Sequence, residues 1–140
     1  IAVAESLTGG MICSRLVNVA GSSSVLYEGF VTYDASAKVR RLHVKLSTIE
    51  EFGVVSEEVC REMIQGLLSN NEIDFAISTT GCAGPSSDEY DTPIGLSYIG
   101  IGDREKINVY DTFFDKERNE IRKCVTNTAL YLALKNINQL

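Results

Sequence analysis

The chain has 140 residues and a mass of 15.3 kDa, 44% of it apolar, a size and content that support one packed core without disulfide or metal staples. Its formal charge of −6, from 13 basic against 19 acidic residues, argues against sequence-independent binding to nucleic acid, which relies on neutralising many phosphates. There is no apolar run of about 18 residues to span a bilayer and no basic, apolar, then small-residue leader at the start. The expectation is therefore one soluble, cytoplasmic domain over 1–140.

Ile1 is not methionine and stands inside an apolar run, so the natural chain is expected to begin before it. Ile1 to Ala4 reads as a short strand that passes through ESLTGG into an amphipathic helix with Ile12, Leu16 and Val19 on one face. Gly21 and Ser22 to Ser24 break that pattern. Val25 to Tyr33 is β-branched and aromatic around Gly29, which predicts a second strand with a close backbone approach at the glycine. Asp34 to Arg41 reads as a short helix, and Ser47 with Glu50 has the spacing of a capping box for another. Ser56 is placed to cap a longer helix in which Cys60, Met63, Ile64 and Leu67 recur at helical spacing.

Asp74 to Thr80 reads as a buried strand, followed by the polar loop GCAGPSSDEYDTPIG. Ile94 to Ile101 and Ile107 to Phe114 are two strands expected to close as a hairpin over Gly102 and Asp103. Glu117 to Leu134 closes the chain as a helix with Ile121, Val125, Thr128 and Leu132 along one stripe. Strands interleaved with helices predict an α/β fold, a three-layer α/β/α arrangement around a mixed sheet of about five strands.

The only histidine, His43, lies in RRLHVKL, a surface or strand-edge setting that offers little to a Ser-His-Asp triad. The four cysteines, Cys13, Cys60, Cys82 and Cys124, show no C-x-x-C pair and no histidine at metal-ligand spacing, so reduced, mostly buried thiols are expected. Cys82 sits just past a strand as a rival nucleophile, but without a histidine to form its thiolate. Neither a Walker-type glycine loop nor G-x-G-x-x-G occurs.

Ser6 stands where a strand gives way to a helix, a junction that exposes a side chain and aims backbone N–H groups at a ligand. It reads either as a nucleophile or as a capping serine before a glycine turn. Thr8 adds a hydroxyl, and Gly9 and Gly10 permit close approach to the backbone. A serine that attacks an amide needs a base. The candidates are Lys38 and Tyr33, both in YDASAK. Lys38 serves only if burial lowers its pKa, and otherwise is a solvated helix lysine. Thr79 and Thr80 precede a glycine-rich loop beyond a strand end, where α/β sheets bind ligands, although a plain surface loop has the same pattern. Arg118 and Arg122, one helical turn apart, form either an anion clamp or a face salt-bridged to Glu117 and Glu120.

Taken in order, AESLTGG (Ala4 to Gly10), GSSS (Gly21 to Ser24), the Gly29 to Tyr33 strand with Lys38, GVVSEEV (Gly53 to Val59), TTGCAGP (Thr79 to Pro85), PIG (Pro93 to Gly95) and R-x-x-x-R (Arg118 to Arg122) resemble the CinA C-terminal domain family, the nicotinamide-nucleotide amidohydrolases, over essentially the whole chain. The resemblance implies hydrolysis of the carboxamide of nicotinamide mononucleotide to nicotinic acid mononucleotide and ammonia. It implies Ser6 as nucleophile, Lys38 as base and Tyr33 as a hydroxyl relay, with Thr8, Thr80 and the Gly9 and Gly10 amides on substrate and oxyanion and Arg118 on a phosphate or carboxylate. It implies no metal or organic cofactor, a small-molecule nucleotide as partner, and a homo-oligomer. The sequence departs from the family pattern at Leu7, where cysteine is usual, at Thr92, where lysine is usual, and at Ser86 and Ser87, where glycines are usual; SSDEYD is also acidic. Two other readings stay open: a non-catalytic nucleotide-binding or partner module, and a serine amidase or esterase with another small substrate.

Overall fold

A computed structural model describes residues 1–139. β1 (Ala2–Glu5) is followed by α1 (Met11–Val17), a short 3-10 turn (Ser22–Ser24) and β2 (Glu28–Val31). Three helices come next, α2 (Ala35–Leu42), α3 (Leu46–Phe52) and α4 (Glu57–Leu68). The chain closes with β3 (Ala76–Gly81), β4 (Leu96–Gly102), β5 (Ile107–Phe113) and α5 (Arg118–Ile137).

The five strands form one sheet in the order β2-β1-β3-β4-β5. β1 runs parallel to both β2 and β3, whereas β3-β4 and β4-β5 are antiparallel. Alternation along the strands divides the core in two. Ala2, Ala4 and Ala76 face a layer that includes Leu42, Ile49, Val59, Met63, Ile64 and Leu67 from α2 to α4. Val3, Ile77, Ile99 and Ile101 face the opposite layer, with Ile12 of α1 and Ile121, Val125 and Ala129 of α5. The result is the expected three-layer α/β/α arrangement around a mixed sheet.

This topology positions the site. Parallel strands need crossovers, and β1, β2 and β3 all end on the same side of the sheet. The residues after β1 and β2 and the last residues of β3 therefore meet at one edge, the region where open α/β sheets hold ligands.

Several local expectations give way. α1 stops at Val17, so Val19 leaves the helical face and is 66% exposed. The second strand spans only Glu28–Val31, but the close approach at its glycine is real: a Cβ on Gly29 would lie 2.3 Å from Cys13 Sγ. Ser47 does not cap a helix, because it lies inside the first turn of α3, whose N-cap position is Lys45. Glu62 of α4 serves that helix end instead, accepting from the Lys45 N–H at 2.8 Å and the Thr48 hydroxyl at 2.7 Å. Ser56 does cap α4, accepting from the Val59 N–H at 3.2 Å.

The β4-β5 hairpin forms, with a turn running from Asp103 to Lys106 and closed by the Asp103 N–H on the Lys106 carbonyl at 3.0 Å. On α5 the buried stripe is Ile121, Val125, Ala129 and Ala133, while Thr128 and Leu132 lie half-buried beside it. No helix among the described residues is long and apolar enough to cross a membrane.

Candidate active site

Ser6 is the first residue past β1, and the chain turns there at once. The Gly9 N–H donates to the Ser6 carbonyl and the Met11 N–H to the Thr8 carbonyl, both at 3.0 Å. Gly9 and Gly10 have φ of +58° and +98°, the left-handed region in which a residue without Cβ is least strained. Two distant groups hold this turn. Thr8 Oγ1 is 2.9 Å from Thr79 Oγ1 on β3, and Arg122 Nε of α5 donates to the Leu7 carbonyl at 2.8 Å.

Lys38 reaches the turn from α2. Asp34 caps that helix by accepting from the Ser36 N–H at 2.8 Å and the Ser36 hydroxyl at 2.6 Å. One turn later Lys38 points inward and is 0% exposed. Its Nζ donates to Ser6 Oγ at 3.1 Å, to the Thr32 carbonyl at 2.5 Å and to the Tyr33 carbonyl at 3.5 Å. Burial pushes its pKa down from 10.5 to about 8, against the opposing pull of Asp34. Among the described residues it makes no salt bridge.

The three contacts divide naturally. A neutral lysine keeps two hydrogens, and two backbone carbonyls can hold them. The lone pair is then left for the third direction, toward the Ser6 hydroxyl.

Ser6 opens onto a cleft of about 440 Å³, within the range of small-ligand sites. Leu7, Ala35, Val54, Val55 and Ala83 form its apolar wall, with Thr80, Tyr33 and Tyr90 around them. Thr80 donates its hydroxyl to the Val54 carbonyl at 2.9 Å. Tyr33, 58% exposed, stands at the mouth, and its hydroxyl accepts from Arg118 Nη2 at 3.0 Å. Arg118 Nη1 donates to the Gly84 carbonyl, so Arg118 joins the Tyr33 segment to the loop after β3. A second, smaller recess beside it is lined by Tyr33, Cys82, Gly84, Ser86 and Arg118.

Comparisons with known proteins identify the family. Residues 1–137 match the model of the CinA C-terminal domain. The chain belongs to the CinA C-terminal domain family. A CinA-like protein of Fusobacterium nucleatum is 45% identical over 139 residues, covering 99% of this chain and 34% of the relative. A relative in Caldicellulosiruptor saccharolyticus, described as a competence-damage inducible protein, is 42% identical over 98% of this chain and 33% of its own length. The chain thus spans about a third of the curated relatives it matches. Among solved structures, a CinA superfamily protein of Klebsiella pneumoniae superposes with a TM-score of 0.94 at 27% identity, over 99% of this chain and 87% of that one. The competence/damage inducible protein CihA of Agrobacterium tumefaciens gives 0.90 at 36% identity, over 96% and 82%.

The residues singled out from sequence separate in this CinA domain. Ser6 and Lys38 are in contact, and Thr80 lines the same cleft. Tyr33 is not placed as a relay, since its hydroxyl bonds Arg118 and Lys38 already touches Ser6 directly. Thr8 is fully buried against Thr79 and does not line the cleft. The Gly9 amide is taken by the Ser6 carbonyl, while the Leu7, Thr8 and Gly10 amides meet no protein acceptor among the described residues. Arg118 and Arg122 do not form one clamp, because Arg122 serves the Ser6 turn and Arg118 ties Tyr33 to Gly84.

The start of α1 is also not open to a ligand. Its Ile12 and Cys13 amides donate to the Glu5 carboxylate. His43 terminates α2 in the left-handed conformation, with φ of 57°, and takes no part in the cleft. In the acidic departure at Ser86 to Asp91, Asp88 accepts from the Tyr90 and Thr92 amides and the Thr92 hydroxyl, at 3.1, 3.0 and 2.7 Å, and Asp88 and Glu89 join the lining of the cleft. Sequence reasoning missed Glu5 and Thr32 as parts of the site and read Arg122 as half of an anion clamp rather than as a support of the Ser6 turn. Only Glu5 carried a local signal, a charged residue inside an otherwise apolar strand.

Proposed function

We propose that this domain hydrolyses the carboxamide of nicotinamide mononucleotide, giving nicotinic acid mononucleotide and ammonia, with Ser6 as nucleophile and Lys38 as its base. The observation that carries the reading is the buried Lys38 Nζ at 3.1 Å from Ser6 Oγ, with its pKa lowered to about 8. A base is most effective when its pKa lies near the working pH. The apolar wall of Val54, Val55 and Ala83, with Tyr90 beside it, suits a flat ring carrying the amide. Arg118, in the recess that adjoins the cleft at Tyr33, suits the phosphate.

In the reaction, neutral Lys38 takes the Ser6 proton as Oγ attacks the carboxamide carbon. The Leu7 amide, free of a protein acceptor and on the cleft wall, is assigned to the oxyanion, such a donor contributing about 3 kcal/mol in comparable sites. Lys38 passes its proton to the departing nitrogen, the C–N bond breaks and ammonia leaves. Water then attacks the acyl-enzyme with Lys38 again as base, and the C–O bond to Ser6 breaks with the proton returning to Oγ. The balance is one amide and one water in, one carboxylic acid and one ammonia out.

The test is ammonia release from nicotinamide mononucleotide by the purified protein beside Ser6→Ala and Lys38→Ala. Turnover by the wild type and its loss in both folded variants supports the assignment. A folded wild type that binds the nucleotide without releasing ammonia sinks it in favour of a non-catalytic module.

A further inference from the structure

Beside the nucleophile lies a charged group that this chemistry does not use. Glu5 is 0% exposed, and among the described residues it forms no salt bridge. Burying an ionised carboxylate without a cation is costly. The compensation here is two hydrogen bonds from the start of α1, the Ile12 N–H to Oε1 at 3.0 Å and the Cys13 N–H to Oε2 at 3.1 Å, where the helix dipole favours negative charge. Both oxygens are used, and only a carboxylate accepts at both. A glutamine of the same shape accepts at one position and presents an NH₂ group to the other amide.

The backbone of the same residue links the two halves of the dyad. The Glu5 carbonyl accepts from the Thr32 N–H at 2.9 Å, and the Thr32 carbonyl in turn accepts from Lys38 Nζ. Ser6 is the next residue along the chain. The side chain of Glu5 therefore fixes α1, its carbonyl fixes the segment that orients Lys38, and its peptide bond carries the nucleophile. Arg122 and Thr79 hold the far side of the turn, but neither is connected to the Lys38 segment in this way.

We infer that Glu5 is the positioning residue of the Ser6–Lys38 pair: its carboxylate locks the start of α1 to the Glu5–Ser6 peptide and so keeps Ser6 Oγ within reach of Lys38 Nζ. The inference rests on Ser6 being the nucleophile of the proposed reaction. It does not depend on which amide is cleaved. A displacement of about 1 Å at a reacting group costs on the order of 100-fold in rate, which sets the expected size of the effect.

The experiment measures the rate at which a fluorophosphonate probe labels Ser6 in the wild type and in Glu5→Gln, well below each protein's unfolding midpoint and per mole of folded protein. Peptide mapping locates the label, and Ser6→Ala serves as the blank. Glu5→Gln is expected to label about 100-fold more slowly, while the pH at which labelling becomes half-maximal stays where it is in the wild type. Glu5→Asp, which keeps the charge but retracts it by one methylene, is expected to fall between the two and supplies the test if the glutamine variant does not fold.

Labelling at the wild-type rate in either variant, with only the unfolding midpoint lowered, overturns the inference and leaves Glu5 as a tie for α1. A shifted pH midpoint also overturns it, because Glu5 would then act on the charge of Lys38. A wild type not labelled at Ser6 overturns it as well. A wild type that labels at Ser6 yet releases no ammonia from nicotinamide mononucleotide removes the proposed substrate and leaves the role of Glu5 intact.

Discussion

Ser6 and Lys38 stand at the inner end of the cleft, 7% and 0% exposed, whereas Tyr33, 58% exposed, stands at its mouth and bonds Arg118 in the recess beside it. The inner pair is held by the ends of the sheet and by contacts from α1, α2 and α5. The outer pair belongs to the segment after β2 and to the first residue of α5. Dryness favours the inner pair, since removing water from an ammonium lowers its pKa. The same dryness would penalise a phosphate, which is better served by a cation at the wet rim. On this account the cleft separates chemistry from recognition by depth, and variants at the two levels should fail in different ways.

The largest expected effect is at Ser6. Ser6→Ala should reduce kcat for ammonia release by about 10⁴-fold or more, with the nucleotide still binding by calorimetry. Lys38→Arg keeps a cation near Ser6 but cannot deprotonate at ordinary pH, and should lower kcat by about 10³-fold. A guanidinium variant with near-native turnover would remove Lys38 as base.

The same burial also has a cost to stability. The folded-state pKa of Lys38, about 8, lies below its ordinary 10.5, so between these values the unfolded chain binds more protons and stability rises with pH. Relative to Lys38→Met, the wild type should gain about 3 kcal/mol from pH 8 to pH 10.5 in denaturant unfolding. Parallel curves for the two proteins would show that the lysine is not desolvated in solution.

At the mouth the effects are smaller and of another kind. Arg118→Ala should raise KM about 10- to 30-fold with kcat little changed, the pattern of lost ground-state binding. Tyr33→Phe removes one acceptor from Arg118 and should cost only about 2- to 3-fold in KM. A large fall in kcat for Tyr33→Phe would restore the hydroxyl relay that the geometry does not display and would blur the division between the two levels.

Much of this fold is readable from local pattern, because alternation in the strands and helical spacing in α4 and α5 report burial directly. Ser56 as a cap and Gly29 as a close approach were legible for the same reason, each following from its own neighbours. The misreadings share the opposite cause. Ser47 has the spacing of a cap, but Glu62 from a separate helix does that work. The strand-to-helix junction at Ser6 reads from sequence as open to an anion, but Glu5 folds back onto α1 and accepts from its Ile12 and Cys13 amides. Tyr33 and Lys38 are close in sequence, yet one side chain points to Arg118 and the other to Ser6. The CinA motifs identify which residues gather at the site, while tertiary contacts decide which of them touch.

The most direct test of the central claim is kcat/KM for ammonia release from nicotinamide mononucleotide as a function of pH. The account predicts a rise of one order of magnitude per pH unit below the Lys38 pKa, a bend at about pH 8 and a plateau above it. A profile that is flat through this range, or one whose bend survives unchanged in the residual activity of Lys38→Ala, would contradict Lys38 as the base of Ser6.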